Sequence, residues 1–169
     1  SYVAGATGNY TIAFTTVNPV PQNGDIQVTF DSDYDISSAA YSSGNTGSTV
    51  SYSSTVMTIN VGTAISASAS VSIVVSGVKN PVTLQTTDTF AILTEDASDV
   101  DIDSGTAPAV SITAGALVSP TVTSPTYIAG DASQNYTIAF TTANPIPQNG
   151  DIEVTFDSDY ELVGATYVS

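Results

Sequence analysis

The sequence predicts an all-β chain in which an antiparallel sandwich recurs in tandem. Three observations carry this. Apolar and polar residues alternate with period two along most of the chain. Turn-forming pairs separate these runs at short intervals. A 28-residue stretch near the start reappears near the end at an offset of 126.

In chain order, Tyr10, Ile12 and Phe14 alternate with Thr11, Ala13 and Thr15, which predicts a half-buried strand. Ile26, Val28 and Phe30 alternate with Gln27 and Thr29, and Met57, Ile59 and Val61 form a third run. The clearest run is ISASASVSIVV. It predicts one strand with Ile65, Ala67, Ala69, Val71, Ile73 and Val75 on one face and Ser66, Ser68, Ser70 and Ser72 on the other. Phe90 with Ile92, and Val110 with Ile112, mark two more. β-branched residues and Thr dominate, as a pleated, half-buried surface favours. Asn18-Pro19, Asn23-Gly24, Gly44-Asn45, Asn80-Pro81, Ser104-Gly105 and Ser124-Pro125 supply the turns. No segment shows a helical period. Seven to nine short strands in about 125 residues is the pattern of an immunoglobulin-like antiparallel β-sandwich.

The repeat sets the organisation. Asn9–Ile36 and Asn135–Leu162 are identical at 23 of 28 positions. They differ at Val17/Ala143, Val20/Ile146, Gln27/Glu153, Asp35/Glu161 and Ile36/Leu162. Tyr2 and Tyr127 open the matching motifs YVAG and YIAG at an offset of 125, so one residue is inserted before Asn135. Such a period is domain-sized, as in arrays of sandwich domains. The stretch SPTVTSPT (Ser119–Thr126) reads as the connection. This gives a first copy over 1–120, a linker over 121–126 and the first strands of a second copy over 127–169. About 45 residues do not close a sandwich alone. The segment is therefore expected to belong to a longer array, or to complete a neighbouring chain's domain by strand donation. Alternatively, the frame is permuted, with 44–169 as the closed domain and 1–43 donated. Ser1-Tyr2 already falls within the repeat, so the chain is expected to begin downstream of a natural N-terminus.

The pattern YTIAFTTxNPxPQNGDIxVTF, followed by VSGVKNP and TDTFAILTED, resembles the Ig-like repeats of very large extracellular surface, adhesin and fibril proteins of microbes and protists. The likeness covers most of one repeat. It implies an extracellular, glycosylated fibril in which such domains stack head to tail.

Composition narrows the chemistry. The net charge is -15, with 16 acidic residues against one basic residue, Lys79, and there is no Arg, His, Cys or Trp. A nucleic-acid partner is excluded, because neutralising phosphates takes Lys and Arg. The charge also argues against an anionic membrane surface, and no apolar run is long enough to span a bilayer. Without His or Cys, the usual nucleophile–base pairs and nitrogen or thiolate metal ligation are absent. A paired-carboxylate hydrolase is formally open. However, the acidic residues sit in Ser/Gly/Asp-rich turns that should be wet, and the richest motif recurs in both copies. No enzyme is expected and no catalytic residue is nominated.

Carboxylates and sequons are the candidate sites. Asp31, Asp33 and Asp35 recur as Asp157, Asp159 and Glu161. A second cluster, Glu95, Asp96, Asp99, Asp101 and Asp103, precedes Gly105. Alternate carboxylates on an extended segment or turn suit Ca²⁺. The second cluster is not an EF-hand, since Gly105 falls one place late and Val110 stands where the closing Glu belongs. The competing reading is a solvated acidic loop that keeps an array soluble and extended. Asn9-Tyr10-Thr11 and Asn135-Tyr136-Thr137 are N-x-Thr sequons, with Asn9 on the outward parity and just ahead of the strand proper. Asn9 and Asn135 are thus candidate N-glycan sites, and the Ser and Thr rows candidate O-glycan sites. Nine of the fourteen aromatics are Tyr, and their recurrence in strands predicts packing rather than sugar binding. The expected role is a structural repeat unit of an extracellular filament or cell-surface array whose partner is another copy of itself. The alternative is an adhesin stalk with a Ca²⁺- or glycan-binding loop, for which Glu95–Gly105 is the candidate.

Overall fold

A computed structural model describes the chain except residues 45, 132, 133, 147 and 169. The Asn45 half of one turn signal, and part of the loop bearing the inserted residue, thus lie outside the described residues. Ten strands and no helix are present among the described residues: β1 (Thr7–Thr15), β2 (Asp25–Thr29), β3 (Ala40–Gly44), β4 (Gly47–Ser53), β5 (Val56–Val61), β6 (Ser70–Lys79), β7 (Phe90–Glu95), β8 (Asp101–Ala107), β9 (Val118–Thr123) and β10 (Thr137–Thr141). Among the described residues no helix is long and apolar enough to cross a membrane.

Two antiparallel sheets build the first copy. One has the order β1-β6-β3 and the other β4-β5-β2-β7-β8. The alternation read from sequence determines which side chains face inward. Ile12, Val71, Ile73 and Val75 come from the three-stranded sheet, and Ile26, Val28, Met57, Ile59 and Val61 from the five-stranded one. All join a single buried cluster. Each such side chain contributes about 1.5–3 kcal/mol by leaving water. Tyr10, Phe30, Tyr34 and Phe90 close one part of this core through edge-on ring contacts with centroids 5.3–6.0 Å apart. The recurrent Tyr10 and Tyr34 are therefore packing residues.

Three departures from the sequence expectation have local causes. The 65–75 run is not one strand. Ile65 forms an isolated bridge with Val20, and β6 starts only at Ser70. Between them Ser68 takes φ 58°. Buried Thr16 holds this kink: its hydroxyl donates to the Ser66 carbonyl at 2.8 Å and accepts from Ala69 N–H at 3.1 Å. As a result Ala67 turns outward. Secondly, Asp101 and Asp103 lie in a strand, β8, not in a turn. The β7 ladder recruits this polar stretch from Phe90↔Ala107 to Glu95↔Asp101. Thirdly, Val110 and Ile112 make no strand of their own; Ser111 forms one bridge to Thr86.

Part of the expected linker is also strand. β9 pairs antiparallel with β10, and β10 corresponds to residues 11–15 of β1.

Candidate functional site

Antiparallel pairing places the start of β2 beside the end of β7, with Asp25 opposite Glu95. A tight turn follows β7. Asp96 shapes it by accepting from Ser98 N–H at 2.8 Å and Val100 N–H at 3.0 Å, and Asp99 at its tip has φ 61°. This turn returns the Asp99 carboxylate to the sheet. Oxygens of Asp25, Glu95 and Asp99 lie within 4.8 Å of one another, the one such acidic trio among the described residues. Glu95 is buried, and its Oε2 accepts from Gln27 Nε2 at 2.6 Å. Asn60 Nδ2 approaches Asp25 Oδ1 at 3.3 Å. The trio offers hard oxygen ligands of the kind Ca²⁺ takes.

The acidic residues singled out in the sequence are deployed differently. Of Asp99, Asp101 and Asp103, the first alone joins the trio. Asp101 stands opposite Glu95 on β8. Asp103 reaches the Asn18-Pro19 loop, accepting from Val17 and Asn18 N–H at 2.9 Å each and from Asn18 Nδ2 at 2.7 Å. These donors, the Asn18 N–H foremost, hold its pKa below the usual carboxylate value. Asp31 accepts from Asp33 N–H and Asp88 N–H, both at 2.9 Å, which lowers its pKa likewise. Asp35 accepts from Ser37 N–H at 2.9 Å, and Asp33 is exposed. Asp157 repeats the first of these turns by accepting from Asp159 N–H, while Glu161 is exposed. Sequence reasoning missed Asp25. Its only signal was positional, as the first residue after Asn23-Gly24 in a strand antiparallel to one ending at Glu95.

Asn9 and Asn135 are both exposed. Asn9 does not precede the strand: Thr7 and Gly8 already pair with Lys79 and Val78, so Asn9 lies within β1, at the register shift between Gly8 and Tyr10, on an edge strand.

The largest contrast lies between the two near-identical segments. In 9–36, Val20 and Ile26 are fully buried and Ile12, Val28, Phe30 and Ile36 nearly so. In 135–162 the counterparts Ile138, Ile146, Ile152 and Leu162 are 42–59 % exposed. Phe140, Ile146 and Ile152, with Leu117, line an open cleft of about 300 Å³. The counterparts of those first three, Phe14, Val20 and Ile26, belong to the core of the first copy or pack against it. The rings of Tyr136, Phe156 and Tyr160 nevertheless cluster at 5.4–5.9 Å, as Tyr10, Phe30 and Tyr34 do. The second segment touches the first copy through Asn144, whose Nδ2 donates to the Ala4 carbonyl at 2.8 Å beside Gly5.

Comparison with known proteins finds no matching family, no similar curated protein and no similar solved structure.

Proposed function

We propose that the chain is a structural repeat unit of an extracellular filament or surface array. In this reading immunoglobulin-like sandwich domains follow one another head to tail, and the exposed face of 135–162 is completed by strands like β5–β8 from another unit. The observation that carries the reading is the burial contrast just described. A sequence that forms a core in 9–36 leaves Ile138, Ile146, Ile152 and Leu162 exposed in 135–162, and covering them recovers the burial energy. A polar, acidic exterior suits a soluble array, and exposed Asn9 and Asn135 suit an N-glycan on the secretory route. No catalytic role is proposed.

Sedimentation and light scattering over a concentration series test this. Self-association that disappears on replacing Ile152 and Ile138 with Asp supports completion by another copy. Association that ignores these changes contradicts it. Intact mass before and after enzymatic deglycosylation reads the sequons.

The Asp25–Glu95–Asp99 trio favours a second reading, an adhesin stalk stiffened by Ca²⁺. It requires the melting temperature to rise with calcium and fall with chelator, and an unchanged value removes it.

A further inference from the structure

Within 9–36, β2 fills the gap between β5 and β7, and residues 151–155 of the second segment match β2 at every position but one. Five positions distinguish the two segments, and the fold ranks these by consequence. Val17 and Asp35 are exposed, so Ala143 and Glu161 would meet solvent there. Val20 and Ile36 are buried, and Ile146 and Leu162 keep their apolar character, the former adding one methylene.

Gln27 differs in kind. It hydrogen-bonds the buried Glu95 carboxylate. Asp25 and Asp99 crowd the same carboxylate, and Asp101 stands opposite it in the β7–β8 ladder. The only basic residue in the sequence, Lys79, lies in β6 of the other sheet, where its backbone bridges that of Asp35. No Lys or Arg therefore neutralises this corner. A Glu at position 27 would remove the donor and set a further carboxylate against a buried one. Glu153 carries that change.

We propose that the Gln27/Glu153 difference selects which segment enters the β5–β7 gap. Gln27 admits β2 beside Glu95. Glu153 disfavours residues 151–155 there, so within a chain β2 keeps that place and 151–155 stays available to another unit, which it joins less tightly than a Gln at 153 would. The selection rests on the assembly reading above, and it adds a specificity-determining residue to it.

The test uses the full chain in chelator, so that no divalent cation offsets the carboxylates. Hydrogen exchange compares peptides spanning 20–29 and 146–155, which the Val20/Ile146 difference keeps distinct in mass in every variant. Glu153→Gln should shift occupancy toward 151–155 by about 10-fold or more, the worth of a hydrogen bond to a charged group. Protection then rises there and falls at 25–29. Gln27→Glu should lower the melting temperature of the parent chain, and adding Glu95→Gln should restore it. The proposal is overturned if Glu153→Gln leaves both peptides within about twofold of the parent rate, a change too small for such a bond, or if Gln27→Glu melts with the parent. If no variant self-associates but the Gln27→Glu loss and its rescue both appear, the selection holds and the assembly reading falls. Equal association with Glu or Gln at 153 leaves assembly standing and refutes the selection.

Discussion

Asn80 shows how a single polar residue ties the chain start to the core. It is buried at 2 % exposure, and its Oδ1 accepts from the Tyr10 hydroxyl. Its Nδ2 donates to the Ser1 and Val3 carbonyls at 2.9 and 2.7 Å. Tyr10→Phe leaves Oδ1 short of a donor and should cost about 1–3 kcal/mol in chemical denaturation. The same hydroxyl bears on pH. Burial, reinforced by Tyr34, pushes the Tyr10 pKa up, and burial raises that of Tyr34. A raised folded-state pKa contributes stability that is present below the ordinary tyrosine value, about 10, and is lost as pH rises through the folded value. Asp31 and Asp103 act oppositely. Backbone N–H donors lower both, so their contribution is present above about pH 4 and is lost as pH falls through the folded values. Melting temperature against pH should therefore show a plateau with two falling limbs, and Tyr10→Phe should flatten the alkaline one.

At the scale of elements, β1, β2 and β5 were legible because each faces the core on one side and shows it as alternation, whereas β7 announced itself only through Phe90 and Ile92 and does not alternate to its end. β6 was legible in type but not in extent. The Ser/Ala alternation of 65–69 continues the apolar pattern, yet a hydroxyl from another part of the chain, Thr16, bends the backbone at Ser68. Thr16→Val keeps the shape and loses both bonds, so it should destabilise by about 1–3 kcal/mol. Urea unfolding at an unchanged m-value would check this. β8 was not legible, because DIDSGTA carries too little apolar signal and is a strand through its ladder to β7. The acidic trio was hidden for a related reason. Asp25 and Glu95 are seventy positions apart, and only strand register brings them together. The aromatic core, by contrast, was readable from the paired tyrosines. Phe30→Ala should cost about 3–5 kcal/mol, the range for large core aromatics.

At the scale of the molecule, a sequence match becomes a difference in burial. The segment 135–162 has the aromatic cluster of its counterpart and one β ladder, β9–β10, but its inward-type residues face an open cleft. The central claim is that another unit covers this face. Backbone hydrogen exchange at Ile152 and Val154 across a dilution series tests it most directly. The account predicts fast exchange at high dilution and, on association, protection approaching that of Ile26 and Val28. Fast exchange at every concentration would contradict it, as would protection in the dilute monomer at the expense of residues 25–29.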